Sequence, residues 1–123
     1  MKIDARAAAS AAEAAEVFAA LADPTRWQVL ALLAARGEGT ATSVAAQLPV
    51  SRPAVIKHLN VLDRAGLVQG RRSGREVRYS VRTERLDATA RWLAAVAHEW
   101  DARLAAIKRI AESAETASAQ PRG

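Results

Sequence analysis

Apolar positions recur along this chain with two different periods, and the change of period divides it into elements. From Glu13 to Ala22, Ala14, Val17, Phe18 and Leu21 return at intervals of three and four, one face of a helix. Asp23-Pro24 breaks the run. Asp23 suits the N-cap of the next helix and Pro24 its first turn, where no N–H is required. In that second helix Trp27, Leu30, Ala31 and Ala34 form the expected buried stripe, with Leu33 beside it, and Gly37 and Gly39 end it. A short helix follows over Thr40 to Leu48, with Thr40 or Thr42 near its N-cap and Val44, Ala45 and Leu48 inward. After the break at Pro49-Val50-Ser51, Ser51 caps a helix in which Val55, Leu59 and Leu62 share one face, and Ala65-Gly66 ends it.

Beyond Gly66 the period falls from 3.6 to 2. Val77, Tyr79 and Val81 alternate with Arg78, Ser80 and Arg82, a strand with one buried face. Leu67 to Arg72 is its expected partner and Ser73-Gly74 the turn. From about Asp87 to Ala114 the helical period returns. Leu93, Val96, Trp100, Leu104, Ile107 and Ala111 make one stripe on a helix roughly 40 Å long. That is longer than so small a domain is wide, so the stripe is expected to be a dimer seam. The resulting class is mainly α with a small β-hairpin. Residues 1–12 and 115–123 carry no such pattern and are expected to be unstructured, leaving 13–114 as the domain.

Composition narrows the reading. Half of the 123 residues are apolar, which excludes wholesale disorder, and the length fits one domain with a core of its own. The absence of cysteine removes disulfides, thiolate metal sites and cysteine nucleophiles together. The longest apolar run, Val29 to Ala35, is far short of a membrane span. Acidic residues and the lack of bulky apolar side chains near the N-terminus argue against a signal peptide. A cytoplasmic protein is expected, with no membrane partner.

Charge adds the functional clue. The net value is +5, and residues 51–82 alone hold eight Lys/Arg against two acids. The remaining residues are close to neutral. The whole basic excess therefore sits on the turn, the helix after it and the hairpin, as a face held at a polyanion requires. A short helix, a tight turn and a basic helix make a helix-turn-helix, and the basic hairpin adds a wing. The second helix of such a unit enters the DNA major groove N-terminus first, while the hairpin's arginines follow phosphates or the minor groove.

At these residues the chain resembles the ArsR/SmtB family of bacterial transcriptional regulators. The resemblance lies in Phe18 to Arg26 at the first helix junction, and in Ser51-Arg52-Pro53-Ala54-Val55 through Lys57-His58-Leu59 and Leu62. It continues in Ala65-Gly66-Leu67-Val68 and in Gly74-Arg75 through Tyr79, and spans roughly residues 14–112. Trp100-Asp101-Ala102-Arg103-Leu104 is similar to the SdpR-like subgroup of small autorepressors, which lack thiolate sensor sites. The resemblance implies a homodimer held by the first and last helices, on a palindromic operator near its own promoter, repressing by blocking RNA polymerase. Carried over by position, the groove-facing candidates are Ser51, Arg52, Pro53, Ala54, Ile56, Lys57 and His58. The wing candidates are Arg71, Arg72, Arg75 and Arg78. The dimer candidates are Val17, Phe18, Leu93, Val96, Trp100, Leu104 and Ile107. Ile56 departs from the family, which commonly has a small polar residue there. It can meet a thymine methyl or simply pack.

Several residues have two readings. His58 is either a packed histidine or a DNA contact, Tyr79 is core rather than contact, and Arg26 bridges elements or binds phosphate. Trp92 and Trp100 line a dimer core in preference to a ligand pocket. The family's thiolate pair falls near Thr40 and Thr42, which do not ligate soft metals. A metal-responsive variant would use Asp87, His98 and Asp101, but Arg85 stands where a further ligand belongs, so no metal and no cofactor are expected. The effector is left open. No nucleophile–base pair or phosphate loop supports an enzyme. The rival class is a winged-helix protein–protein interaction module meeting an acidic partner.

Overall fold

The computed structural model describes residues 5–119. Among them the order is α1 (Ala5–Leu21), α2 (Pro24–Arg36), α3 (Ala41–Ala45), α4 (Arg52–Arg64), β1 (Val68–Ser73), β2 (Glu76–Val81) and α5 (Glu84–Ala119). The chain divides into two compact units, one ending at Ala90 and the other beginning at Arg91. This is the mainly α architecture with one hairpin that the two periods predict, a winged helix-turn-helix followed by a long C-terminal helix. No helix among the described residues is long and apolar enough to cross a membrane.

The helix junctions in the first unit are set by local chemistry. Asp23 Oδ1 accepts from the Thr25 N–H at 2.7 Å and from the Arg26 N–H at 3.3 Å, capping α2. Arg26 then reaches back, and its Nε donates to the Ala20 carbonyl at 2.6 Å. Helix ends leave carbonyls without intrahelical partners, and this guanidinium serves one of them. A single four-residue motif thus ends α1 and starts α2. At α3, Thr40 and Ser43 cap reciprocally, each hydroxyl accepting from the other's backbone N–H at 2.9–3.0 Å. At α4, Ser51 Oγ accepts from the Ala54 N–H, with Pro53 in the first turn.

The core of this unit is aliphatic. Val17 and Ala20 of α1, Val29, Leu30 and Leu33 of α2, Val44 of α3, Val55, Leu59 and Leu62 of α4, and Leu67 and Val68 at the hairpin's base form one cluster. Each fully buried Leu or Val contributes about 1.5–3 kcal/mol in area terms. The expected α4 face is the observed one. The α2 face is not. Val29, Leu30 and Leu33 are buried, whereas Trp27 is 57% exposed and Ala31 and Ala34 face solvent. The buried stripe is turned by about one residue, roughly 100°. Branched side chains gain more by burial than two alanines, and in this orientation Arg26 reaches the end of α1.

Further boundaries differ from expectation: α3 ends at Ala45 and not at Leu48, and α5 begins at Glu84 and not near Asp87. Helix α1 begins at Ala5 and not near Glu13, because the Ala-rich run has strong intrinsic helix propensity even without an apolar stripe. Helix α5 continues to Ala119. Of the two ends expected to be unstructured, 5–12 and 115–119 are therefore helical, and 1–4 and 120–123 lie outside the described residues. In the hairpin, Val68 pairs with Val81 and Ser73 with Glu76, so the turn is Gly74-Arg75. Gly74 has φ of 64°, the positive value that a two-residue hairpin turn requires at its first position. The shift by one residue puts Arg75 at the wing's tip.

Candidate nucleic-acid interface

The start of α4 and the tip of the wing converge. Arg52 Nε donates to Thr42 Oγ1 at 3.1 Å, so α3 orients the first guanidinium of α4. Thr40, Thr42, Arg52 and Ile56 on one side, and Arg75, Glu76, Val77 and Tyr79 on the other, line a concavity of about 240 Å³. Its lining holds two arginines against one carboxylate, Glu76, together with the apolar Ala41, Ile56 and Val77, which suits a nucleic-acid strand with its anionic phosphates and apolar sugar and base edges. Arg75 has no ion pair among the described residues, and neither has Lys57. Both cations are therefore available to an external anion.

The α4 candidates fall on different faces. Arg52, Pro53 and Lys57 are exposed. Ser51 is exposed and its hydroxyl is occupied as the helix cap. Ala54 and Ile56 are half-buried, and Ile56 both packs against the core and lines the concavity. His58, also half-buried, stands beside Asp23 at the α1–α2 junction. The Asp23 carboxyl lies below its ordinary value chiefly because it accepts from the Thr25 N–H, with the His58 charge a lesser cause. Asn60 was not a candidate, yet it is exposed and follows Pro53 and Lys57 at helical spacing. An Asn amide on that stripe matches the bidentate edge of adenine.

The four wing arginines separate. Side chains alternate across a strand, and directly paired residues share a face. Arg72 pairs with Val77, on the Tyr79 face, whereas Arg71 pairs with Arg78 on the opposite face. There Glu38, Gln69, Arg71, Arg78 and Ser80 line a second cavity of about 180 Å³. Arg78 Nη1 donates to Glu38 Oε1 at 2.9 Å. Of the four, Arg75 alone meets Arg52 at the concavity. Adjacency in sequence misleads here because two consecutive strand residues point apart.

The dimer candidates include one correction. Val17 is 1% exposed and belongs to the chain's own core, so it has no surface to offer a second copy. It shares the α1 period with Phe18, and packing assigned the smaller residue inward and left Phe18 43% exposed. In the second unit Leu93, Trp100, Leu104 and Ile107 are exposed and Val96 is half-buried. Ile110 extends this stripe by three residues beyond Ile107. The Arg103 guanidinium lies 5.4 Å from the Trp100 ring centre and donates to Glu99 at 3.1 Å.

Thr40 and Thr42, near which the family resemblance would place a thiolate pair, are already engaged. Thr40 Oγ1 accepts from the Ser43 N–H and Thr42 Oγ1 from Arg52. These hydroxyls do not fit a thiophilic metal. Among the described residues no three His, Asp or Glu side chains gather as a ligand set.

Comparison with known proteins agrees with this fold. Residues 21–71 match the family described as a helix-turn-helix domain. The chain is 36% identical to the transcriptional repressor SdpR of Bacillus subtilis over 77 residues, 63% of this chain and 84% of that protein. Its structure resembles an ArsR-like transcriptional regulator from Rhodococcus sp. RHA1, with a TM-score of 0.76 and 51% identity over 84% of this chain and 96% of the other. It also resembles a homodimeric winged helix-turn-helix DNA-binding domain from Mycobacterium bovis, with a TM-score of 0.59 and 31% identity over 82% and 90%.

Proposed function

Because the chain belongs to the ArsR/SmtB family of winged helix-turn-helix transcriptional regulators, we propose that it represses transcription as a homodimer on a palindromic operator near its own promoter. It is a DNA-binding regulator and not an enzyme. The observation that carries the detailed reading is the convergence of Arg52 and Arg75 around Ile56. Helix α4 enters the major groove with Arg52, Pro53, Lys57 and Asn60 toward the bases. Arg75 holds a phosphate. The exposed stripe from Leu93 to Ile110 meets a second copy, together with Phe18. Such dimers place half-sites about one helical turn apart.

Fluorescence anisotropy tests this reading with DNA from upstream of the protein's own gene, against a scrambled duplex, at two salt concentrations. Binding at least about 10³-fold tighter to the upstream DNA, and weakening with salt, is the expected result. Equal, weak binding to both duplexes would overturn it and favour a protein partner for the basic face.

A further inference from the structure

Arg78 stands among the basic residues of the wing, yet its charge is already answered. Its Nη1 lies 2.9 Å from Glu38 Oε1, forty positions earlier in the chain. Next to this pair, Gly39 and Tyr79 exchange both backbone hydrogen bonds. The Gly39 N–H donates to the Tyr79 carbonyl at 3.0 Å, and the Tyr79 N–H to the Gly39 carbonyl at 2.8 Å. They form an isolated antiparallel bridge on the free edge of β2. Across the hairpin, Arg71 is directly opposite Arg78. Two like charges so placed repel, and Glu38 is the counter-charge on the same cavity wall.

From these contacts we infer that Glu38 and Arg78 are a wing-positioning pair, and that Arg78 is not a phosphate contact. Together with the Gly39–Tyr79 bridge, the pair clamps the hairpin to the α2–α3 link. The clamp sets where Arg75 stands relative to Arg52. An isolated exposed ion pair gains little, because two long side chains lose freedom in holding it. Here the backbone bridge already fixes the two segments, so less freedom remains to be lost. The inference rests on the DNA-binding reading of the Arg52–Arg75 concavity, and adds to it a pair that acts through the wing without touching DNA.

The test compares the wild type with Arg78→Ala, Glu38→Gln, Arg75→Ala and the exchanged pair Glu38→Arg with Arg78→Glu. The probes are a duplex enriched from a random pool by the wild-type protein, and an arbitrary duplex of equal length. Arg75→Ala should reduce the magnitude of the slope of log K against log salt by about 1.8, one phosphate contact from each protomer of the dimer. Arg78→Ala should leave the slope unchanged while weakening binding to the enriched duplex roughly 3- to 10-fold. Amide exchange at Gly39 and Tyr79 should accelerate in Arg78→Ala and Glu38→Gln, and the exchanged pair should restore both exchange and affinity. A slope whose magnitude drops by about 1.8 in Arg78→Ala would overturn the inference. So would unchanged exchange in both single variants. If the wild type shows no preference for the enriched duplex, the DNA reading itself fails, and the exchange rates still decide whether the clamp exists.

Discussion

Arg85 Nη1 donates to the backbone carbonyl of Ala65 at 3.1 Å, joining the first turn of α5 to the end of α4. The same nitrogen meets Glu16 Oε2 of α1 at 3.0 Å, and Nε lies 3.6 Å from Glu13 Oε1. One guanidinium therefore links three helices. It also lies against Gly66, whose φ is +75° and where an added Cβ would stand 3.0 Å from Arg85 Cδ.

Gly66→Ala should lose stability on two counts. The left-handed backbone costs a non-glycine residue roughly 1–2 kcal/mol, and the new methyl crowds Arg85. Arg85→Ala alone should cost about 1 kcal/mol, discounted for its partial exposure. In the double variant the crowding vanishes, so the two losses should sum to more than is observed. Urea unfolding of all four proteins checks this. Strict additivity would show that Arg85 does not press on Gly66.

Asp23 supplies a pH signature. The Thr25 N–H favours its carboxylate and lowers its pKa in the folded state. The stabilisation is complete above the ordinary aspartate value of 3.8, and is lost as pH falls through the lower folded value. Asp23→Asn keeps a capping oxygen but does not titrate. The difference in melting temperature between the wild type and this variant should hold from pH 7 to pH 5 and shrink by pH 3. A difference that is constant across all three would refute the assignment.

Thr42 is expected to matter for DNA binding through Arg52. Thr42→Val keeps the side chain's shape and removes the acceptor. Affinity for the enriched duplex should fall roughly 3- to 10-fold with unfolding unchanged. In an Arg52→Ala background the same substitution should have no further effect. A persistent effect there would mean that Thr42 contacts DNA itself.

Leu104→Glu places a charge in the exposed stripe of α5. Sedimentation should show monomers, and specific DNA binding should be lost, since two half-sites need two copies. An intact dimer that still prefers the enriched duplex would move the seam elsewhere.

Much of the first unit was legible because its determinants are local. Asp23, Thr40 and Ser51 cap helices through bonds spanning two or three residues, and Val55, Leu59 and Leu62 follow the helical period. The basic excess over residues 51–82 needs only counting. The α2 stripe lies one residue from the expected one because Trp27, Leu30, Ala31 and Ala34 and the buried Val29, Leu30 and Leu33 both follow the helical period, and only packing decides between the two faces. Ile110 was legible, since it continues the α5 stripe.

By itself, then, the chain's order of residues determined the number and order of the helices, the caps at Asp23 and Ser51, that a hairpin follows the fourth helix, and where the positive charge gathers. These signals lie in neighbours within about four residues, so each can be read segment by segment, while packing is what makes the segments stable. Tertiary structure decided which cations act together. Arg52 meets Arg75 only after α4 and the wing pack, Arg78 finds Glu38 only because Gly39 bridges to Tyr79, and Val17 went into the core while Phe18 stayed out. Such pairings depend on how distant segments are oriented when they bury their apolar faces, and that orientation is a property of the packed whole.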